Sequence, residues 1–233
     1  LYPTIAGTFS AATGQQFASG IKLMVKASAT FHPVFGLSLV ISAVNPEYTM
    51  GDLLRRRMEI LNRLKSEGIL EDNRNLQWPD VPQRIAVISA PGAAGYGDFI
   101  NQLFNNKHLL RFDVRLFPAI MQGEKSPASI IAALEDILAE ENPRQGVVII
   151  RGGGATSDLQ AFENYDLAAS IAQFPLPVII GIGHERDIPV LDYVANMRVN
   201  TPTAAAEWLI SRGAGAGSYT HPTLPTTPPV QHP

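Results

Sequence analysis

Residues 147–158 read VVIIRGGGATSD, and this stretch decides the fold. Four apolar residues stand in an unbroken row where a strand with one wet face would alternate with polar residues. Val147–Ile150 therefore predicts a strand buried on both sides. Three other runs share the pattern: IAVIS at 85–89, VRLFP at 114–118 and VIIGI at 178–182. Between them, Asp98–Lys107, Ala128–Glu141 and Leu159–Gln173 are long enough for helices. Strands and helices in alternation predict a parallel sheet whose crossover helices lie on both faces, an α/β unit over residues 84–212.

Upstream, Glu71–Gln83 (EDNRNLQWPDVPQ) is polar and carries prolines, so it reads as a crossing loop. Before it, Leu54, Met58, Leu61 and Leu64 recur three or four residues apart, predicting an amphipathic helix from Asp52 that stops at Gly68. Residues 51–83 are thus a linking helix and loop, with Arg55, Arg56 and Arg57 on a solvated helix face rather than in a nucleic-acid patch. Earlier still, Ile21, Leu23, Val25 and Ala27 alternate with Lys22, Met24 and Lys26, and Leu37, Leu39 and Ile41 alternate after the turn-like HPVFG. This predicts a β-hairpin. Two strands are marginal alone in water, and Leu1–Gly20 offers no further strand pattern, so residues 1–50 read as the last part of a small β-domain. At the other end, residues 213–233 contain five prolines and no charged residue, and read as a non-native or disordered tail outside the fold.

The composition narrows the classes of function. At 45% apolar and 17% charged, the 233-residue chain can bury a large core, since ordinary soluble domains carry about 25% charged residues. No apolar run reaches the roughly 18 residues of a membrane span, so no membrane partner is expected. The absence of cysteine excludes disulfides, thiolate zinc sites and a cysteine nucleophile. No basic segment followed by an apolar stretch opens the chain, so a cytoplasmic setting is expected. Residues 1–84 hold 9 Lys/Arg against 7 Asp/Glu and the remainder 9 against 14, so any site for a polyanion must be local.

Open parallel sheets bind ligands beyond the carboxyl ends of their strands, and three of the four strand ends here are chemically unusual. After 85–89 comes SAPGAAGYGDF, which leads to Asp98 at the start of a predicted helix. After 147–150, Arg151 precedes Gly152, Gly153 and Gly154. Glycines allow a positive φ and close backbone approach, so their N–H groups suit an anion nest, and the forked arginine beside them matches phosphate oxygens. A tight strand-to-helix turn with Arg151 in an ion pair would give the same letters. Neither glycine-rich segment fits GxxxxGK[ST] or GxGxxG, which disfavours a P-loop ATPase or a dinucleotide enzyme. After 178–182, GHERD places His184 at a strand end with Asp187 three residues on and Asp192 beyond, so a carboxylate could orient the imidazole and raise its pKa. A structural histidine and a helix-terminal role for Asp98 are the plainer readings.

The ordered succession IAVISAPGAAGYGDF, LFPAIMQGE, VVIIRGGGATSDLQAF, VIIGIGHERDIPVLDYVA and MRVNTPTAAAE resembles the large subunits of exodeoxyribonuclease VII over roughly residues 20–212. The resemblance implies a truncated OB-fold remnant in the hairpin, a catalytic α/β domain, and a following helical region, absent here, that gathers the small subunit. It implies hydrolysis of single-stranded DNA from either end to short oligonucleotides with 5′-phosphates. It nominates Asp98, Arg151, His184 and Asp187 as catalytic, with the amides of Gly152–Gly154 on the phosphate. No cofactor is strictly required in this reading. Magnesium is compatible with the two aspartates but not demanded by them, and metal ligands stay open. Lys26, Phe31 and Phe35 are candidate single-strand contacts. The competing class is a non-catalytic α/β module that only holds phosphate or single-stranded nucleic acid.

Overall fold

A computed structural model describes residues 3–13, 21–151, 161–182 and 188–217. Three of the four apolar runs form strands buried along their length: β3 (Arg84–Ser89, buried after Arg84), β5 (Gly146–Ile150) and β6 (Val178–Gly181). The fourth, β4 (Asp113–Pro118), alternates between covered and exposed residues, because it is an edge strand. The sheet has the order β4-β3-β5-β6-β7 and every neighbouring pair is parallel, β7 being the two residues Met197–Arg198 that no sequence pattern signalled.

Alternate residues of each central strand feed two cores, one on each face. Ala86, Ile88, Val147, Ile149 and Ile180 pack with α4 (Ser126–Leu138), α5 (Tyr165–Ala172) and α6 (Leu191–Val194). Ile85, Val87, Val148, Ile150 and Ile179 pack with α3 (Ala94–Phe104) and α7 (Pro202–Gly217). Helices on both faces and the order second-first-third-fourth-fifth make this a doubly wound sheet, whose chain direction reverses between β3 and β5.

The N-terminal part departs from expectation in two places. Residues Pro3–Thr13 form a helix, α1, with Phe9 buried. The linking helix α2 (Pro46–Ser66) starts six residues before Asp52, because Asn45 Oδ1 accepts from the N–H groups of Glu47 and Tyr48 and Pro46 takes the first helical position. The hairpin is present: β1 (Met24–His32) pairs antiparallel with β2 (Gly36–Asn45), and Gly36 closes the turn at φ +76°. Its cross-strand pairs Phe31–Leu37, Ala29–Leu39 and Ala27–Ile41 put six apolar residues on one face, and Phe31 is 76% exposed. Among the described residues this sheet has two strands, so the OB-fold remnant is not confirmed.

At the C-terminal side α7 runs through Gly217, so residues 213–217, assigned to the tail, are helical. Packing overrides the low helix propensity of the glycines. A Cβ at Gly213 would lie 3.0 Å from Leu110 Cδ1, so a larger residue here would have to push the end of that leucine aside.

The polar loop 71–83 is more than a crossing: it seals the amino ends of the strands. Asn73, fully buried, donates to the carbonyls of Phe174 and Leu176 (2.9 and 2.8 Å) and accepts from the N–H groups of Val178 and Asn196 (3.0 and 3.1 Å). Trp78 covers Gly146, the first residue of β5, and its Nε1 donates to Asn196 Oδ1 at 2.9 Å. A Cβ at Gly146 would meet the Trp78 ring at 2.1 and 2.2 Å. Gly146→Ala is therefore expected to destabilise the protein by about 3 kcal/mol, at the upper end for overpacking, as read by denaturant melts; a loss under half that would show that the ring yields freely.

Candidate active site

The chain leaves β3 and β5 at the carboxyl edge of the sheet, beside the reversal of its direction, and a nominated residue follows each strand: Asp98 after β3 and Arg151 after β5. From β3 the chain makes a turn over Ala90–Ala93, with the Ala93 N–H donating to the Ala90 carbonyl (3.1 Å). Pro91 and Gly92 are its central residues, and Gly92 at φ +73° gives the geometry of a type II turn. Helix α3 then begins at Ala94. Asp98 consequently lies in the second turn of α3 and not at its start, exposed beside the buried Phe99, so stabilisation by the first-turn N–H groups does not apply to it.

Arg151 stands immediately beyond β5, whose last residue Ile150 is in register with Gly181 of β6. It is 5% exposed, a charge held at the end of a fully buried strand. Gly181 has no room for a side chain: a Cβ would lie 3.0 Å from Ile150 Cγ2 and 3.2 Å from Val199 Cγ2. Its bare backbone brings the ends of β5 and β6 together. Gly152, Gly153, Gly154, His184 and Asp187 lie outside the described residues. Chain connectivity sets the glycines next to Arg151, and His184 two residues beyond Ile182.

Two polar side chains at this edge went unselected from the sequence. Ser89 ends β3 fully buried, and its Oγ has no hydrogen-bond partner among the described residues. A hydroxyl closing an apolar strand was the available signal. Asp192, considered only as an orienting carboxylate, sits in α6 with its side chain 7% exposed and Oδ2 2.9 Å from Arg198 Nε of β7. Burial pushes its carboxyl up to about 6; the Arg198 charge opposes this, the Glu163 carboxylate adds to it, and Arg57 opposes it.

This raised value has a consequence for stability. Between about pH 4 and 6 the folded chain holds on Asp192 a proton that the unfolded chain, at the ordinary 3.8, has already released. Stability from this group is thus fully present at low pH and falls as pH rises through 6. Asp192→Asn is expected to remove a slope on the order of 2 kcal/mol between pH 4 and 7. Urea melts of both proteins across that range check it, and parallel pH profiles would refute the assignment.

Among the described residues no three His, Cys, Asp or Glu side chains gather as a metal site, and none of their helices is long and apolar enough to cross a membrane. A doubly wound sheet with a buried arginine beside its reversal point defines an α/β protein in which the carboxyl edge is the candidate ligand site, since open sheets of this kind bind ligands there. The family described as exonuclease VII, large subunit, matches residues 69–219, and the chain belongs to that family. A Deinococcus radiodurans protein named exodeoxyribonuclease 7 large subunit is 35% identical over 202 residues, which cover 86% of this chain and 49% of the relative. Proteins of the same name from Cyanothece sp. (strain PCC 7425) and Delftia acidovorans are 42% and 36% identical over 158 and 185 residues, covering 67% and 73% of this chain and 36% and 41% of those relatives. The chain thus spans about half the length, or less, of the relatives it matches.

Proposed function

We propose that this chain carries the catalytic part of a nuclease that degrades single-stranded DNA from either end, releasing short oligonucleotides with 5′-phosphates. The observation that carries the reading is Arg151, a buried guanidinium at the end of β5 next to the reversal of the sheet, in a member of a family named for exonuclease activity. In the reaction a water oxygen attacks phosphorus, the bond from phosphorus to the 3′-oxygen breaks, and a proton moves to that oxygen. His184 is the general base or acid, because an imidazole with a reference pKa of about 6.5 exchanges protons near neutral pH. Arg151 and the amides of Gly152–Gly154 stabilise the charge that builds on the non-bridging oxygens, where one well-placed donor is typically worth about 3–4 kcal/mol. Asp98 and Asp187 orient the histidine. A divalent ion such as magnesium would be held by these two carboxylates and would add charge neutralisation; none of the proposed steps runs through it.

The hairpin belongs, in this reading, to an OB-fold that takes in the single strand, and the small subunit assembles on a helical region beyond α7. Phe31, 76% exposed on the face it shares with Leu37 and Leu39, and Phe35, whose ring lies against His32 at the exposed turn (centroids 4.8 Å), both stay available with Lys26. The test is degradation of single- against double-stranded DNA by the full-length subunit with its small subunit, with and without chelator. Loss of single strands and release of 5′-phosphate oligonucleotides supports the reading. Binding without hydrolysis would replace it with the non-catalytic phosphate-holding module.

A further inference from the structure

The first turn of α3 is left open, where those of α2 and α5 are closed by their own chain. Asn45 and Asn164 cap those two helices, each accepting from N–H groups of the turn that follows. At α3 the cap position holds Ala93, whose extended backbone (φ −63°, ψ 132°) suits a cap but whose side chain accepts nothing, and the first turn carries no acidic residue. The N–H groups of Tyr96 and Gly97 turn back to the Ala93 carbonyl at 3.1 and 3.2 Å, while among the described residues those of Ala94 and Gly95 meet no acceptor. Most helix ends turn such amides to water; here a buried hydroxyl shares the place. Ser89, the last residue of β3, is fully buried, and its Oγ has no hydrogen-bond partner among the described residues. Alternation along β3 puts Ser89 on the face of Ile85 and Val87, which α3 covers. The buried residues of α3 are Gly95, Phe99 and Leu103, so Gly95 is on the side of the first turn that faces the sheet. Only the turn Ala90–Ala93 separates Ser89 from the helix. The hydroxyl and the Gly95 N–H therefore meet between the end of β3 and the start of α3, and the exposed Ala94 beside them gives a way in from solvent.

We propose that Ser89 and the first turn of α3 form a phosphate subsite: the N–H groups of Ala94 and Gly95 and the Ser89 hydroxyl donate to one phosphate group of the DNA strand, in the positive field of the helix end. Its assignment to DNA rests on the nuclease reading above, whereas its affinity for phosphate does not. A hydroxyl buried without a partner is costly, and donating to a bound oxyanion removes that cost. Asp98 follows Ala94 by four residues and shares its exposed side of α3, so a phosphate held here lies one helical turn from the carboxylate nominated for catalysis. Strands β3 and β5 are neighbours, Ile88 being in register with Ile149, so the subsite stands one strand away from Arg151. A chain with phosphates in succession can engage both; a single phosphate cannot.

The experiment uses the full-length large subunit with its small subunit and the variants Ser89→Ala and Ala93→Asp. The alanine removes the hydroxyl alone. The aspartate, on backbone already set for a cap, supplies a carboxylate that takes the amides for itself and repels an anion. The probes are inorganic phosphate and a thymidine oligonucleotide with phosphorothioate links, an anionic strand slow to hydrolyse. In the wild type both should slow amide exchange across residues 94–97 relative to chloride at equal ionic strength. Oligonucleotide affinity should fall roughly tenfold in Ser89→Ala, the worth of one hydrogen bond to a charged group, and at least as far in Ala93→Asp. Thermal stability should move the other way, being no lower in Ser89→Ala and higher in Ala93→Asp. Unchanged exchange with both probes overturns the subsite, and so does a loss of stability in Ser89→Ala, which would make the hydroxyl a structural donor. Protection by phosphate with oligonucleotide affinity unchanged in both variants overturns the assignment to a backbone phosphate. A wild type that neither binds nor cleaves single strands defeats the nuclease reading, and exchange with inorganic phosphate then still decides the subsite.

Discussion

Full-length enzyme carrying His184→Ala, assembled with its small subunit, is expected to hydrolyse single-stranded DNA roughly 10²–10⁴-fold more slowly than the wild type, the usual worth of a positioned proton-transfer group. Its affinity for single strands should stay within a few-fold. In the proposed mechanism the two effects separate because proton transfer and phosphate binding fall to different groups: the imidazole would move a proton only as the phosphorus–oxygen bonds change, while Arg151 and the glycine amides would hold charge in both ground and transition state. The place of His184 in the chain supports the role, two residues past Ile182 and beyond the end of β6, whose last residue Gly181 is in register with Ile150 just before Arg151. Single-turnover rates and equilibrium binding measured on one preparation check the prediction. Turnover like that of the wild type would remove His184 from the mechanism, and an equal loss of binding would make it a phosphate ligand instead.

Asn73→Ala is expected to lower the unfolding free energy by about 4 kcal/mol, a large share of the 5–15 kcal/mol typical of a domain. The side chain satisfies four backbone groups at once, the carbonyls of Phe174 and Leu176 and the N–H groups of Val178 and Asn196. Alanine can neither donate nor accept, and each buried group left without a partner costs about 1–3 kcal/mol, the sum being reduced by relaxation and by entry of water. Asn73→Asp tests the account from the other side: it keeps an acceptor for the two N–H groups but sets a buried carboxylate oxygen against the two carbonyls, so it should recover none of the loss. Denaturant melts give both values. A change below about 1 kcal/mol in the alanine variant would mean that water replaces the amide without penalty.

The legible parts of the fold were those whose signal is local. IAVIS, VVII and VIIGI are buried on both faces and therefore apolar at every position, which a reader of the chain sees directly. VRLFP looked the same and is an edge strand, because an apolar run does not state how many neighbours its strand has. The start of α2 was written in Asn45-Pro46, a cap followed by a first-turn proline, but the apolar spacing becomes regular only after Asp52 and drew the boundary there. The run of glycine and alanine before Asp98 hides the helix start: Ala94–Gly97 already form the first turn of α3, and Asp98 lies in the second. Of the candidate site, the strand-end rule placed Arg151 correctly at the carboxyl edge. Nothing local marked Asn73 as buried or Arg57 as paired: their partners lie 101 to 123 and 106 residues away.

The seal that loop 71–83 makes over the amino ends of the strands bears on how such a protein can change over time. Asn73 and Trp78 tie down the starts of β6 and β5, whereas Arg151 and Gly181 stand at the opposite ends of the same strands. A strand is stiff along its length, so the robustness of the scaffold and the demands of chemistry act on different residues at opposite edges. If the carboxyl loops hold the site, substitutions that rework them draw on a reserve of stability held elsewhere, and the usual trade between activity and stability is weakened. Selection can then tune the two edges separately, as can a designer who reinforces the sealed edge first and diversifies the other afterwards.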